Sequence, residues 1–133
     1  MINIQKDFAS AIIKTKEEFL KSSFSCYIEK ITIKDFYLLD EIKVDDRNNF
    51  GKGYGKKLFK DILSKYKQLV IFPSFVSYED DTAFSFREAI SIENIEEAPL
   101  KLLNEFYIPI LIEMNIKYLI KDTEEGKMII IDN

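Results

Sequence analysis

A single mixed α/β domain is what this sequence predicts, and three observations predict it. Two apolar runs of strand length, Phe36 to Val44 and Gln68 to Phe72, flank a segment of helical spacing that ends near Lys65. A glycine-rich turn, Asn49-Phe50-Gly51-Lys52-Gly53-Tyr54-Gly55, joins the first run to that helix, whose buried side is Leu58, Ile62 and Leu63. The 133 residues, 47% of them hydrophobic, suffice for one core and contain no linker or repeat. A strand–helix–strand crossover of this length favours two parallel strands joined right-handedly.

The remaining elements follow in chain order. Met1 to Ile4 is at most a strand stub. Asp7 is a candidate N-cap for a helix through about Lys21, along which Phe8, Ala11, Ile12, Phe19 and Leu20 recur at helical spacing. Phe24 to Ile33 and Phe36 to Val44, parted by Lys34-Asp35, predict a hairpin. Pro73 to Glu97, with acidic runs at Glu79-Asp80-Asp81 and Glu93 to Glu97, predicts a loop with a short helix. Those runs frame an entrance for a cationic substrate, or are a solvated loop. Pro99 suits the first turn of a helix from Leu100 to about Met114, in which Pro109 must force a kink or a break. Lys117 to Ile120 and Lys127 to Ile131, about Asp122 to Gly126, predict a closing hairpin. The expected architecture is one domain over residues 1–133, a parallel strand pair flanked by antiparallel hairpins, with about three helices.

Composition removes whole classes of chemistry. The chain has no histidine, which excludes Ser-His-Asp triads, Cys-His dyads and His-ligated zinc. Proton transfer is left to Asp, Glu, Tyr, Lys, Cys or water. The single cysteine, Cys26, has no partner for an internal disulfide and is expected to pack within a strand. A net charge of −4 argues against generic nucleic-acid binding, which neutralises phosphates with Lys and Arg. No apolar run reaches the roughly 18–20 residues of a membrane span. The start lacks the basic-then-apolar order of a secretory signal, so a cytoplasmic protein is expected.

The glycine turn is the chemically loaded segment. Helix N-termini present free N–H groups and a partial positive charge, and so bind phosphate without basic side chains. Three of the four glycines stand here at alternate positions, before Lys56-Lys57 and the helix. The bland alternative is a turn eased by glycine that binds nothing. A P-loop fails, because no Ser or Thr follows the lysine pair, and the dinucleotide fingerprint G-x-G-x-x-G fails in both registers.

The stretch from Leu38 through Val44, the polar link with Arg47, and Gly51-Lys-Gly53-Tyr-Gly55 resembles the GNAT superfamily of acyl-CoA-dependent N-acyltransferases. That family has a strand ending in Val, a polar link, [Q/R]-x-x-G-x-G and a long helix. The likeness covers Phe36 to about Phe72. The opening residue of the motif falls on Phe50 counted from the glycines, or on Asn49 counted from Val44. Only two strands are read before the loop, which would make this a trimmed member.

The resemblance implies a GNAT-like fold, with the two central parallel strands splayed around the thioester of acetyl-CoA as co-substrate, and no metal. By position, backbone from Asn49 and Phe50 through Gly51, Lys52, Gly53, Tyr54, Gly55 and Lys56 would hold the pyrophosphate. Ile42, Lys43 and Val44 would pair with the pantetheine arm, and Ser74 would bond pantetheine or substrate. The base would be Asp40 or Glu41, which strand alternation points to opposite faces, with Glu41 nearer the splayed end. Tyr107, in Phe106-Tyr107, would be the acid for the leaving thiolate. The acceptor would be a primary amine on a small molecule, peptide or protein lysine, with no nucleic-acid or membrane partner and a monomeric or homodimeric chain. The competing reading is an acyl-CoA-binding or protein-interaction module on the same scaffold.

Overall fold

The computed structural model describes residues 1–73, 98–124 and 126–133. In chain order these form β1 (Ile2–Lys6), β2 (Ala9–Thr15), α1 (Lys16–Leu20), a 3-10 helix (Ser25–Lys30), β3 (Tyr37–Val44) and a 3-10 turn (Arg47–Asn49). Then come α2 (Tyr54–Lys65), β4 (Gln68–Ile71), α3 (Ala98–Leu102), a π-helical turn (Leu103–Tyr107), α4 (Ile108–Glu113), β5 (Tyr118–Thr123) and β6 (Gly126–Asp132). The strands make one six-stranded mixed sheet in the order β1-β2-β3-β4-β6-β5. Among the described residues no helix is long and apolar enough to cross a membrane.

The expected parallel pair is present at the centre of the sheet. β3 and β4 run parallel with Tyr37 beside Leu69 and Leu39 beside Ile71, and α2 makes the crossover. One face of α2 carries Leu58, Phe59, Ile62 and Leu63, all buried. Each contributes about 2 kcal/mol through apolar area removed from water. They share a cluster with Leu39, Leu69, Ile71, and Leu103, Tyr107 and Leu111 of the later helix. On the opposite face Phe19 and Phe36 meet edge-to-face, with centroids 5.3 Å apart, over Leu38, Val70, Met128 and Ile130. The closing hairpin also forms, and β6 rather than β5 lies against β4.

The first part of the chain differs from its sequence reading. Asp7 caps no helix. It and Phe8 form a two-residue hairpin turn with φ of 44° and 65°, and Ile2–Lys6 pairs antiparallel with Ala9–Thr15. The buried residues Ala9, Ala11 and Ile13 alternate as a half-buried strand requires. The helix begins only after Thr15, whose hydroxyl accepts from the Glu18 N–H (3.2 Å) while the Glu18 carboxylate accepts from the Thr15 N–H (3.1 Å). This is a capping box.

Ser25–Lys30 is a 3-10 helix, not a strand, and Cys26 within it is exposed rather than packed. β3 therefore pairs antiparallel with β2, and the expected Phe24–Ile33 hairpin does not exist. Three strands thus precede the glycine turn, where the sequence reading expects two.

Candidate functional site

The glycine turn sits where β3 ends and α2 begins. Gly51 and Gly53 take φ of 76° and 83°, the left-handed region that L side chains rarely adopt. Gly53 is the N-cap of α2 and offers no side-chain cap. The Lys57 N–H bonds to the Gly53 carbonyl at 3.0 Å, which leaves the N–H groups of Tyr54, Gly55 and Lys56 without intrahelical acceptors. The preceding link is firmly held. The Asp45 carboxylate accepts from Ser10 Oγ (3.0 Å) and Gln5 Nε2 (3.2 Å), and the Asp46 carboxylate accepts from the Asn48 N–H (2.9 Å). The link continues through the 3-10 turn Arg47–Asn49.

A β-bulge shapes the neighbouring strand. Ile12 lies opposite Glu41 and Ile13 opposite Leu39, so Asp40 is the extra residue in β3. A bulge bends its strand and increases its twist. The register of β3 with β4 ends at the same point, Leu39 beside Ile71, while β3 continues to Val44 along β2. Pro73, close beyond Ile71, has no N–H with which to extend the ladder.

A cleft of about 470 Å³ opens beside this end of β3. Ten predicted binding residues line it: Ile42, Lys43, Val44, Asn49, Phe50, Gly51, Gly53, Tyr54, Gly55 and Lys56. Lys52 is exposed and is not among the lining residues. Ser74, Glu79 to Asp81 and Glu93 to Glu97 lie outside the described residues.

The predicted acid and bases lie elsewhere. Asp40 and Glu41 do not alternate, because the bulge turns both to the face opposite α2. Asp40 pairs with Lys14 (3.4 Å), whose cross-strand neighbour Leu38 belongs to the far cluster. Glu41 stands opposite Ile12, whose neighbours Ala11 and Ile13 both point to the α2 side. Neither carboxylate lines the cleft. Tyr107 is 3% exposed and meets Phe59 edge-to-face at 5.1 Å. Burial pushes its hydroxyl well above the ordinary tyrosine value, and it lies in the core rather than on the cleft wall.

The later helix supplies the wall that sequence reasoning missed: Leu102, Glu105, Phe106, Pro109, Ile110 and Glu113. Pro109 cannot donate to the Glu105 carbonyl, and its ring crowds that oxygen. The helix widens into the π turn just before it, where the Ile108 N–H bonds to the Leu103 carbonyl. Phe106 thereby comes near Gly55, where an added Cβ would meet its ring at 3.9 Å and Val44 Cγ2 at 3.7 Å. Helical spacing held the clue. Leu103, Tyr107 and Leu111 make one buried stripe, and Leu102, Phe106, Pro109 and Glu113 make the adjacent one.

Charge in the cleft is divided. Glu113 pairs with Lys60 (2.9 Å) and Lys56 (3.2 Å), and hydrogen bonds from Lys60 and then Lys56 hold its carboxyl below the ordinary value. Glu105 is exposed and lines the cleft, with no ion pair among the described residues. The site thus joins the backbone N–H groups at the start of α2, an extended strand end and two carboxylates, Glu105 and the ion-paired Glu113, on a largely apolar wall. Compared with known proteins, the chain matches no family model, no curated protein and no solved structure.

Proposed function

We propose that this chain is an acyl-CoA-dependent N-acyltransferase of GNAT-like architecture, moving an acetyl group from acetyl-CoA to a primary amine in the cytoplasm. The observation that carries the reading is the meeting of three parts in one cleft: the glycine turn, the end of β3 and the π-turned helix. An uncapped helix N-terminus with glycine at its N-cap suits a pyrophosphate. The Ile42–Val44 backbone, beyond the register with β4, suits a pantetheine arm added alongside it like a further strand.

Acetyl-CoA supplies an activated thioester; the chain's residues position it and manage the proton. A neutral amine attacks the carbonyl carbon, the C–S bond breaks and the amine proton must leave. Of the two carboxylates on the cleft wall, Glu113 is held by Lys56 and Lys60, so Glu105 is the one offered for that proton, in place of Asp40 and Glu41. The leaving thiolate takes its proton from water in this reading, since Tyr107 is buried.

A second reading, an acyl-CoA-binding module without turnover, is favoured by the absence of Asp40, Glu41 and Tyr107 from the cleft wall. Calorimetry with acetyl-CoA, followed by free-thiol release with a panel of amines and lysine peptides, separates the two. The enzyme reading expects binding and amine-dependent thiol release, with Glu105→Gln slowing release about 100-fold at unchanged acetyl-CoA affinity. Binding without turnover on any amine selects the module. No binding sinks both.

A further inference from the structure

The hairpin turn between β1 and β2 carries an unusual residue. Asp7 and Phe8 both take positive φ, 44° and 65°, as a type I′ turn requires, and such turns ordinarily use Asn or Gly there. The main-chain bond that fixes this corner, from the Asp45 N–H to the Phe8 carbonyl (2.8 Å), needs no side chain at position 8. Nor does core packing call for one, because Phe8 is 55% exposed. Its ring lies against Tyr54, with centroids 5.1 Å apart and planes at 59°. Tyr54 opens α2 and lines the cleft. The cleft wall at the glycine turn therefore continues outward as an exposed aromatic surface.

We infer that Phe8, backed by Tyr54, is the platform on which the purine base of the bound acyl-CoA stacks. The inference rests on the acyl-CoA reading of the cleft and adds the subsite for the nucleoside end. A pyrophosphate held by the N–H groups of Tyr54, Gly55 and Lys56 has two continuations. The pantetheine arm follows Ile42–Val44 into the cleft, and the nucleoside leaves past Tyr54 toward solvent. The exposed ring of Phe8 lies next to that path, against Tyr54 and outside the cleft lining itself. Stacking on an aromatic side chain is how proteins hold a base without reading its edges.

Equilibrium binding of acetyl-CoA and of S-acetyl-4′-phosphopantetheine, which lacks the nucleoside together with its own phosphates, tests this with wild type, Phe8→Gly and Phe8→Tyr. Glycine accepts the left-handed corner, so Phe8→Gly removes the ring and keeps the turn. Phe8→Gly is expected to weaken acetyl-CoA about ten-fold or more and to leave the phosphopantetheine affinity unchanged, while Phe8→Tyr matches wild type. Wild-type acetyl-CoA affinity in Phe8→Gly overturns the platform and leaves the acyl-CoA reading standing. So does an equal loss for both ligands, which would make Phe8 a support for the turn. A wild-type chain that binds neither ligand overturns the acyl-CoA reading, and the platform with it.

Discussion

Gly53 and Gly55 stand two residues apart and answer to different constraints. Gly53 needs its φ of 83°, and a left-handed conformation costs an L residue about 1–2 kcal/mol. Gly53→Ala is therefore expected to lower the stability by roughly that amount, read as a fall in the thermal midpoint with the fold kept, although its Cβ would meet nothing within 4 Å. Gly55 has no such φ, and its added Cβ would make ordinary contacts with Val44 and Phe106. Gly55→Glu should fold with a native circular dichroism spectrum and lose acetyl-CoA binding, because a carboxylate would stand where phosphate is to bind. Retained affinity would contradict the phosphate assignment. Tyr107→Phe should leave thiol release within about two-fold of wild type, as befits a core residue; a large fall would restore its acid role. Glu113 gives the pH prediction. Its carboxyl is held below the ordinary 4.5, so its ion pairs stabilise the chain above that value. Their contribution is lost as pH falls through the depressed value. Melts across this acid range should show a shallower dependence for Glu113→Gln than for wild type.

At the scale of elements, the bulge in β3 and the π turn before α4 shape the cleft, each caused by one residue. Deleting Asp40 would restore regular pairing, since Ile13 already faces Leu39 and Ile12 already faces Glu41. The shortened chain should fold, extend the β3–β4 register and bind acetyl-CoA at least ten-fold more weakly. Amide exchange along β3 and calorimetry would check the two effects, and undiminished affinity would remove the bulge from the account. The central elements were legible in the sequence because several signals coincide there: β-branched runs, a glycine turn and an amphipathic helix. The N-terminal hairpin was hidden by its own turn, since Asp-Phe lacks the glycine that marks Asp-Gly corners, and Ile12-Ile13 fits either period. The capping box Thr15-x-x-Glu18 marks the true helix start, but the sequence reading takes Asp7 as the N-cap and draws the boundary too early. Phe24, Tyr27, Ile28 and Ile31 stand at helical spacing, yet their β-rich composition suggested a strand. No local pattern shows a bulge, so the facing of Asp40 and Glu41 lay beyond strand alternation.

At the scale of the whole molecule, an ordinary two-faced α/β core carries a cleft at one end of its central strand pair. Phe59 meets both Phe106 and Tyr107 and so ties α2 to the cleft's far wall. A ligand bridging the glycine turn and that wall should stabilise the chain as a unit. Acetyl-CoA at about 100 times its dissociation constant should add ~2.7 kcal/mol, a rise of roughly 10 °C in the thermal midpoint. The most direct test of the central claim is a backbone amide spectrum recorded on titration with acetyl-CoA. Saturable shifts are expected, concentrated at Tyr54, Gly55 and Lys56 and along Ile42 to Val44. An unchanged spectrum, or shifts that leave those amides unmoved, would contradict it.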